Sequence, residues 1–309
     1  MPHPLPIPGE LKAAIGRHIA TAVADAVDGF DSASEDEDAL TGHLGKALRT
    51  GVHVVNVLEG QINGPWRWSL DYTKFRGRGP SATERHVGAD GVFEIRLDSE
   101  GPSITKSLLF QSKMEGEGGK RLVEQCSKLS TWREAAFVLS FGKKAFTALS
   151  LDDILATRGR TRGLHGTPLS DYLAGPFVDC AVGDTDLRYI RGEHRLIWRA
   201  MNGETVAVKF VVRHRFRLKV AAPGSTPSTA AVDREINPDE IHKFRMSASY
   251  EDILALKPGR TQAPSAARKA LSKIYHPDQW EDFNQPTRDA MKSRMQEVNA
   301  AYDDLKRRR

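Results

Sequence analysis

Four residues pose the chemical question. Asp90 opens "DGVFEIRL", Gln111 and Lys113 close "SLLFQSKM" (107–114), and Glu37 stands earlier in "SEDEDAL". Successive side chains of an extended chain point to opposite faces. Leu109, Gln111 and Lys113 therefore share one face of the 107–114 segment, and Leu108, Phe110 and Met114 the other. A buried, unpaired ammonium is costly, so Lys113 requires an anionic partner or a polar cleft. The same alternation groups Asp90 with Glu94, opposite Phe93, Ile95 and Leu97. "DSEGPSIT" between the two segments has turn composition. Antiparallel pairing would set Asp90 across from Gln111 and Lys113, with Glu37 reaching in from an earlier helix. Two carboxylates, an amide oxygen and an ammonium then meet, hard oxygen acceptors beside a cation. A polar pair that only closes a strand is the competing structural explanation.

The elements that must hold these groups follow from local pattern. A proline-rich arm (1–10) leads into a helical stretch over 11–28. Ser34 is a candidate cap for a helix whose first turn holds Glu35, Asp36 and Glu37, where acids suit the dipole. Leu40, Leu44, Ala47 and Leu48 recur at helical spacing and Gly51 ends the run. Strand-like pieces follow: "HVVNVL", "WRWSLDYTKF", "GVFEIRL" and "SLLFQSKM". After a glycine-rich break at 116–119, "KRLVEQCSKLSTWREA" reads as a helix with Leu122, Cys126 and Leu129 on one face. "AAFVLSF" and "AFTALS" read as a strand pair turning at Gly142-Lys143-Lys144, and 176–219 supplies further strands. Residues 221–240 have the Pro, Ser, Thr and Gly content of a linker. Helix, strands, helix and strand in that order make the class α/β or α+β.

The chain has 309 residues, room for one large domain and a small one, with 39% hydrophobic residues to fill a core. Net charge is +5, yet residues 120–219 alone carry 18 Lys/Arg against 10 Asp/Glu, a surplus of +8. A positive middle section suits a polyanion such as nucleic acid, unless it is simply an arginine-rich solvated surface. Cys126 and Cys180 are the only cysteines, too few for a disulfide framework or a cysteine-built zinc site. No signal-peptide or membrane-length apolar run is present, which predicts a cytoplasmic protein with no membrane partner.

The Asp90, Gln111 and Lys113 constellation resembles the active site of the PD-(D/E)xK nuclease superfamily, in particular Mrr-like restriction endonucleases with glutamine as the last acid. The matching pieces are Asp90 in "GADG", Gln111 and Lys113 in "FQSKM", a following helix and an acid in the first helix, over roughly 35–150. Ala89 stands where the family name has proline, and the first-helix acid is open among Glu35, Glu37 and Asp38. The resemblance implies a restriction-endonuclease-like core with a mixed sheet over 31–219, including a β-rich extension. It implies Mg2+ (or Mn2+) held by Asp90, the Gln111 oxygen and Glu37, which suits a hard ion that retains water. Lys113 would orient the attacking water or stabilise phosphorane charge, completing a catalytic set of Asp90, Gln111, Lys113 and Glu37 for DNA cleavage. Lys143 and Lys144 are the candidate phosphate contacts.

The C-terminal segments "SYEDILAL", "APSAARKALSKIYHPDQ" and "RDAMKSRMQEVNAAYDDL" resemble a J domain (247–309) after a linker (220–246), with residues 1–30 as an N-terminal arm and helix. Ala267, Leu271 and Tyr275 mark one inner face, and Met291, Met295, Val298, Tyr302 and Leu305 the partner face. Pro277 forces the first helix to end, leaving His276 and Asp278 in the loop. The resemblance implies that His276, Pro277 and Asp278, with Arg268, Lys269 and Lys273, engage a DnaK-type chaperone. The same module could instead dock another defence-system protein. The closing "KRRR" is either a phosphate-contacting tail or a frayed basic end. Together the modules imply a bacterial restriction or anti-phage endonuclease; the rival is a non-catalytic nucleic-acid-binding adaptor or co-chaperone.

Overall fold

The computed structural model describes residues 7–58, 62–75, 86–99, 103–225, 234–256 and 263–308. The first six residues of the arm, 226–233 of the linker stretch, 257–262 of the C-terminal segment, the tip of the 98–105 turn and Arg309 lie outside the described residues. Its spine is an eight-stranded mixed sheet. In chain order the strands are β1 (Thr50–Val57), β2 (Gly64–Lys74), β3 (Gly91–Asp98), β4 (Ile104–Met114), β5 (Ala136–Phe141), β6 (Phe146–Leu149) and β7 (Thr167–Pro168). A smaller sheet holds β8 (Arg188–Ile190), β9 (Arg195–Arg199), β10 (Thr205–Lys209) and β12 (Arg234–Glu235), while β11 (His214–Ala221) joins the large sheet. The large-sheet order is β1-β2-β11-β3-β4-β5-β6-β7. Strand β11 lies antiparallel to β2 and parallel to β3, so a strand from late in the sequence separates two early ones.

Alternation sorts the sheet's two faces. Phe93, Ile95, Leu97, Leu108 and Phe110 pack under helices α1 (Gly9–Asp28) and α2 (Glu37–Leu48), through Leu11, Ile15, Leu40, Leu44 and Leu48. Val92, Leu109 and Val138 pack on the other face under α3 (Lys120–Leu129) and the small sheet. The glycine-rich 116–119 break sits before α3, and the helix stops at Leu129 where the sequence pattern ran on. A tighter turn over Ser130–Ala135 follows, with Arg133 at φ 53°, a left-handed value that no continuing helix takes.

Three sequence expectations require correction. The cap of α2 is Asp36, whose side chain accepts from the Ala39 amide at 2.7 Å, so Ser34 and Glu35 lie outside the helix and its first-turn acids are Glu37 and Asp38. The stretch 220–246 is no free linker where it is described. Residues 220–221 finish β11, β12 pairs parallel with β10, and Ile236, Ile241, Phe244 and Met246 are buried. Composition hid these scattered apolar anchors. Nor is the N-terminal helix an appendage, since α1 buries Leu11, Ile15 and Ile19 against the sheet, and Ile7 of the arm is buried as well.

The C-terminal region is helical: a turn at Tyr250–Ile253, α5 (Pro264–Tyr275) and α6 (Gln285–Arg307), with α4 (Leu151–Ala156) of the core beneath. Arg268 bonds Asn299 and stacks on Tyr302, whereas Tyr275 meets Arg294, so α5 and α6 run antiparallel. The pair is fastened to the core. Tyr275 donates to Asp152 of α4. Arg133 and Arg245 of the core converge with Arg294 on Glu297 of α6, at 2.9, 2.9 and 3.4 Å.

Candidate functional site

The site forms where β4 ends and β3 begins. Asp90 donates its amide to the Phe110 carbonyl at 2.8 Å, and Gly91 faces Phe110 in the ladder, so Asp90 stands level with Gln111. Gly91 is needed here, because a Cβ would lie 2.5 Å from the His214 carbonyl oxygen and from the Phe110 ring. With hydrogen alone at that position β11 closes onto β3, and the Asp90 carbonyl accepts from the amides of Arg213 and His214 at 3.0 and 3.1 Å.

The Asp90 carboxylate is buried. Its Oδ2 accepts from the Gln111 amide at 2.5 Å, the Ser112 amide at 2.9 Å and the Ser112 hydroxyl at 2.6 Å. Arg213 approaches Oδ1 at 3.8 Å. The Gln111 Nε2 also donates to the Ser112 carbonyl at 3.2 Å, which fixes the orientation of the amide. Its Oε1 is left buried with no hydrogen-bond partner. Lys113, the next residue on that face, reaches Glu37 Oε1 at 3.0 Å.

Beside it lies a second polar group. Asp38 Oδ1 accepts from His214 Nε2 at 2.8 Å, its Oδ2 from Lys74 at 2.5 Å, and Tyr72 bonds His214 Nδ1 at 2.9 Å. Gly45 makes this possible, since a Cβ there would lie 2.4 Å from the Tyr72 ring. Burial pushes the His214 imidazole down to about 4, against the pull of Asp38, so the ring is neutral at pH 7. The neutral ring then donates from Nε2 to Asp38 and accepts at Nδ1 from the Tyr72 hydroxyl. Burial raises the Asp38 carboxyl, but the Lys74 hydrogen bond and the His214 contact outweigh it and hold it below the usual range. Burial also raises the Tyr72 phenol, and the Asp38 charge adds to that.

Asp90, Gln111, Lys113 and Glu37 therefore lie together, and of the first-helix acids Glu37 meets Lys113 while Asp38 meets His214. Glu35 is exposed, and Glu94 pairs with buried Arg215 further along β3. Lys143 and Lys144 are exposed on the β5–β6 turn, at the same end of the sheet as Lys113 because β4 and β5 are parallel; Lys143 pairs with Asp31 at 2.8 Å. In the helical pair His276, Pro277, Asp278, Lys269 and Lys273 are exposed, but Arg268 is turned inward onto Asn299 and Tyr302. Ser112, Arg213, His214, Tyr72 and Lys74 escaped the sequence reading. A histidine flanked by arginines in "VRHRFR" was the one available signal for His214.

Among the described residues no three His, Cys, Asp or Glu side chains converge as a metal cage. The orphaned Gln111 Oε1 beside the Asp90 carboxylate is nonetheless an oxygen pair of the kind a hard divalent ion takes together with water and phosphate oxygens. The donor set fits such an ion through Asp90 and Gln111, with Glu37 occupied by Lys113. Among the described residues no helix is long and apolar enough to cross a membrane. A scan against family models gave no match, and searches of curated proteins and of solved structures gave none.

Proposed function

We propose that this protein is a divalent-metal-dependent endonuclease of the PD-(D/E)xK type acting on DNA, with a J-like helical pair that docks a DnaK-type chaperone or a partner protein. The observation that carries the reading is the buried, unpartnered Gln111 oxygen beside Asp90, with Lys113 two positions on. An orphaned buried acceptor costs about 1–3 kcal/mol, and a cation would satisfy it. When bound, Mg2+ or Mn2+ supplies Lewis acidity toward the phosphodiester and a water of lowered pKa. Asp90 and Gln111 hold the oxygen ligands, Lys113 orients the water or steadies charge at phosphorus, and Glu37 holds Lys113 in place. The restriction or anti-phage setting follows from the pairing of the two modules.

A second reading, a nucleic-acid-binding adaptor or co-chaperone without catalysis, draws on one observation. Oδ2 of Asp90 already accepts three hydrogen bonds, and Arg213 stands 3.8 Å from Oδ1, so the carboxylate is well satisfied without a metal.

Cleavage of plasmid, linear and single-stranded DNA, with Mg2+ titrated and EDTA as control, separates the two. The nuclease reading expects metal-dependent cleavage that Lys113→Ala lowers by roughly 10² or more. Cleavage that survives EDTA, or that Lys113→Ala leaves intact, defeats it. Binding without cleavage at any metal concentration selects the adaptor.

A further inference from the structure

A second concavity lies away from this site. It is a pocket of about 540 Å³ between the far ends of β3 and β11 and the β8–β9 turn, within the range of small-molecule sites. In the ladder Arg217 stands opposite Glu94, four residues beyond Asp90, or roughly 13 Å along the strand.

Among the described residues the charges around the pocket do not balance internally. Its acids are already engaged: Glu94 by Arg215, Asp71 by Lys219 and Glu193 by Arg195. Arg188, Arg191 and Arg217 line the same space, and no ion pair or side-chain hydrogen bond joins their guanidinium groups to another described residue, though Arg191 lies over the Phe75 ring. The Nε atoms of Arg188 and Arg217 are buried without a partner. Burial also draws both guanidinium pKa values down. Buried polar groups are as a rule satisfied, and a pocket lined by three arginines whose side chains have no acidic partner within ion-pair distance among the described residues suits an anion.

We propose that this pocket binds a linear oligophosphate, recognised through its phosphoryl chain by Arg188, Arg191 and Arg217. Three planar donors on separate elements suit several phosphoryl groups in series better than one, because each guanidinium can grip a phosphate with two parallel bonds. The ligand's remainder finds little to hold it. Among the described lining residues Tyr189 is the only aromatic, and it is buried beneath Arg215, so the lining offers a base no exposed aromatic face. That absence also argues against a single-stranded nucleic acid, whose binding sites rely on such platforms. The free chain and the terminus of a nucleoside triphosphate share this chemistry.

Calorimetric titration of the full chain with orthophosphate, pyrophosphate, tripolyphosphate, ATP and GTP at fixed ionic strength tests the proposal. Affinity should rise about ten-fold with each added phosphoryl group, and ATP, GTP and tripolyphosphate should agree within about three-fold. Arg191→Ala, on the exposed turn, and Arg217→Lys, which keeps charge but loses the fork, should each weaken tripolyphosphate about ten-fold or more. Lys292→Ala, exposed on α6 and outside the pocket lining, should leave it unchanged. Equal affinity for one and three phosphates, a strong base preference, or unaltered binding by Arg191→Ala each overturns the proposal. So does an oligonucleotide that outcompetes tripolyphosphate and loses its affinity in Arg191→Ala, which would give the pocket to nucleic acid. Thermal melts of the unliganded variants separate lost binding from lost fold, and none of these outcomes depends on cleavage.

Discussion

The ammonium of Lys113 sits 3.0 Å from Glu37 Oε1, joining the end of β4 to the first turn of α2 across 76 residues of sequence. The pair is mostly shielded, with side-chain exposures of 13% and 29%, so it is screened less than a surface bridge. A double-mutant cycle of Lys113→Met and Glu37→Gln, followed by denaturant melts, should give a coupling of about 1–2 kcal/mol. A coupling near zero would mean that the two side chains are held independently.

Replacing Gln111 by glutamate puts a carboxylate where the amide now donates to Asp90 at 2.5 Å. Two close carboxylates repel, so Gln111→Glu should melt lower than wild type in EDTA. Added Mg2+ should restore more stability to the variant than to wild type, since a cation relieves the repulsion. Differential scanning calorimetry with and without metal reads both effects.

Stability should fall as pH drops from about 6.5 to about 4, because His214 stays neutral in the fold while the unfolded chain takes up a proton. The sign follows from proton counting: in that window the unfolded state binds more protons, so stability rises with pH. The full loss is on the order of 3 kcal/mol. Asp38, whose carboxyl is lowered in the fold, removes further stability as pH falls through its own titration. His214→Gln should flatten the slope between pH 6.5 and 4 in thermal melts.

Nucleic-acid affinity should fall steeply with salt, and Lys143→Ala with Lys144→Ala should reduce the log–log slope by about one to two. Lys143 and Asp31 are 70% and 72% exposed, so losing their contact should leave the melting temperature unchanged. Filter binding across a salt series measures the slope; an unaltered slope would place the phosphate contacts elsewhere.

Glu297 neutralises Arg133, Arg245 and Arg294 at the seam between the helical pair and the core. Glu297→Gln should therefore destabilise by about 3–5 kcal/mol, as breaking a buried ion cluster does. His276→Gln, in the exposed loop, should cost under about 0.5 kcal/mol while removing any stimulation of a DnaK-type ATPase. Paired melting and ATPase measurements separate a structural seam from a docking loop.

Local pattern was enough for the hairpin of β3 and β4. Two-residue alternation placed Asp90 level with Gln111, and the helical spacing of Leu40, Leu44 and Leu48 fixed which side of α2 faces the sheet. Alternation alone does not reveal Ser112, which belongs to the opposite face yet turns its hydroxyl onto Asp90 at the strand's end. The Ser34 cap failed because Ser and Asp both cap, and only packing chooses between them. Arg213 and His214 were out of reach for a different reason. Nothing within a window of a dozen residues says that "HRFRLKVA" will slide between β2 and β3, more than a hundred positions earlier.

That late insertion also sets an order of events during synthesis. A nascent chain that has emerged only through β7 owns Asp90, Gln111 and Lys113, but the sheet beneath them lacks the strand between β2 and β3, and Tyr72 has no imidazole to meet. Ribosomes extend the chain at roughly 5–20 residues per second, and such non-local pairings are slow to form. The complete sheet is thus not formed until Ala221 has cleared the exit tunnel, and prematurely terminated products carry Asp90, Gln111 and Lys113 without β11 packed beside them.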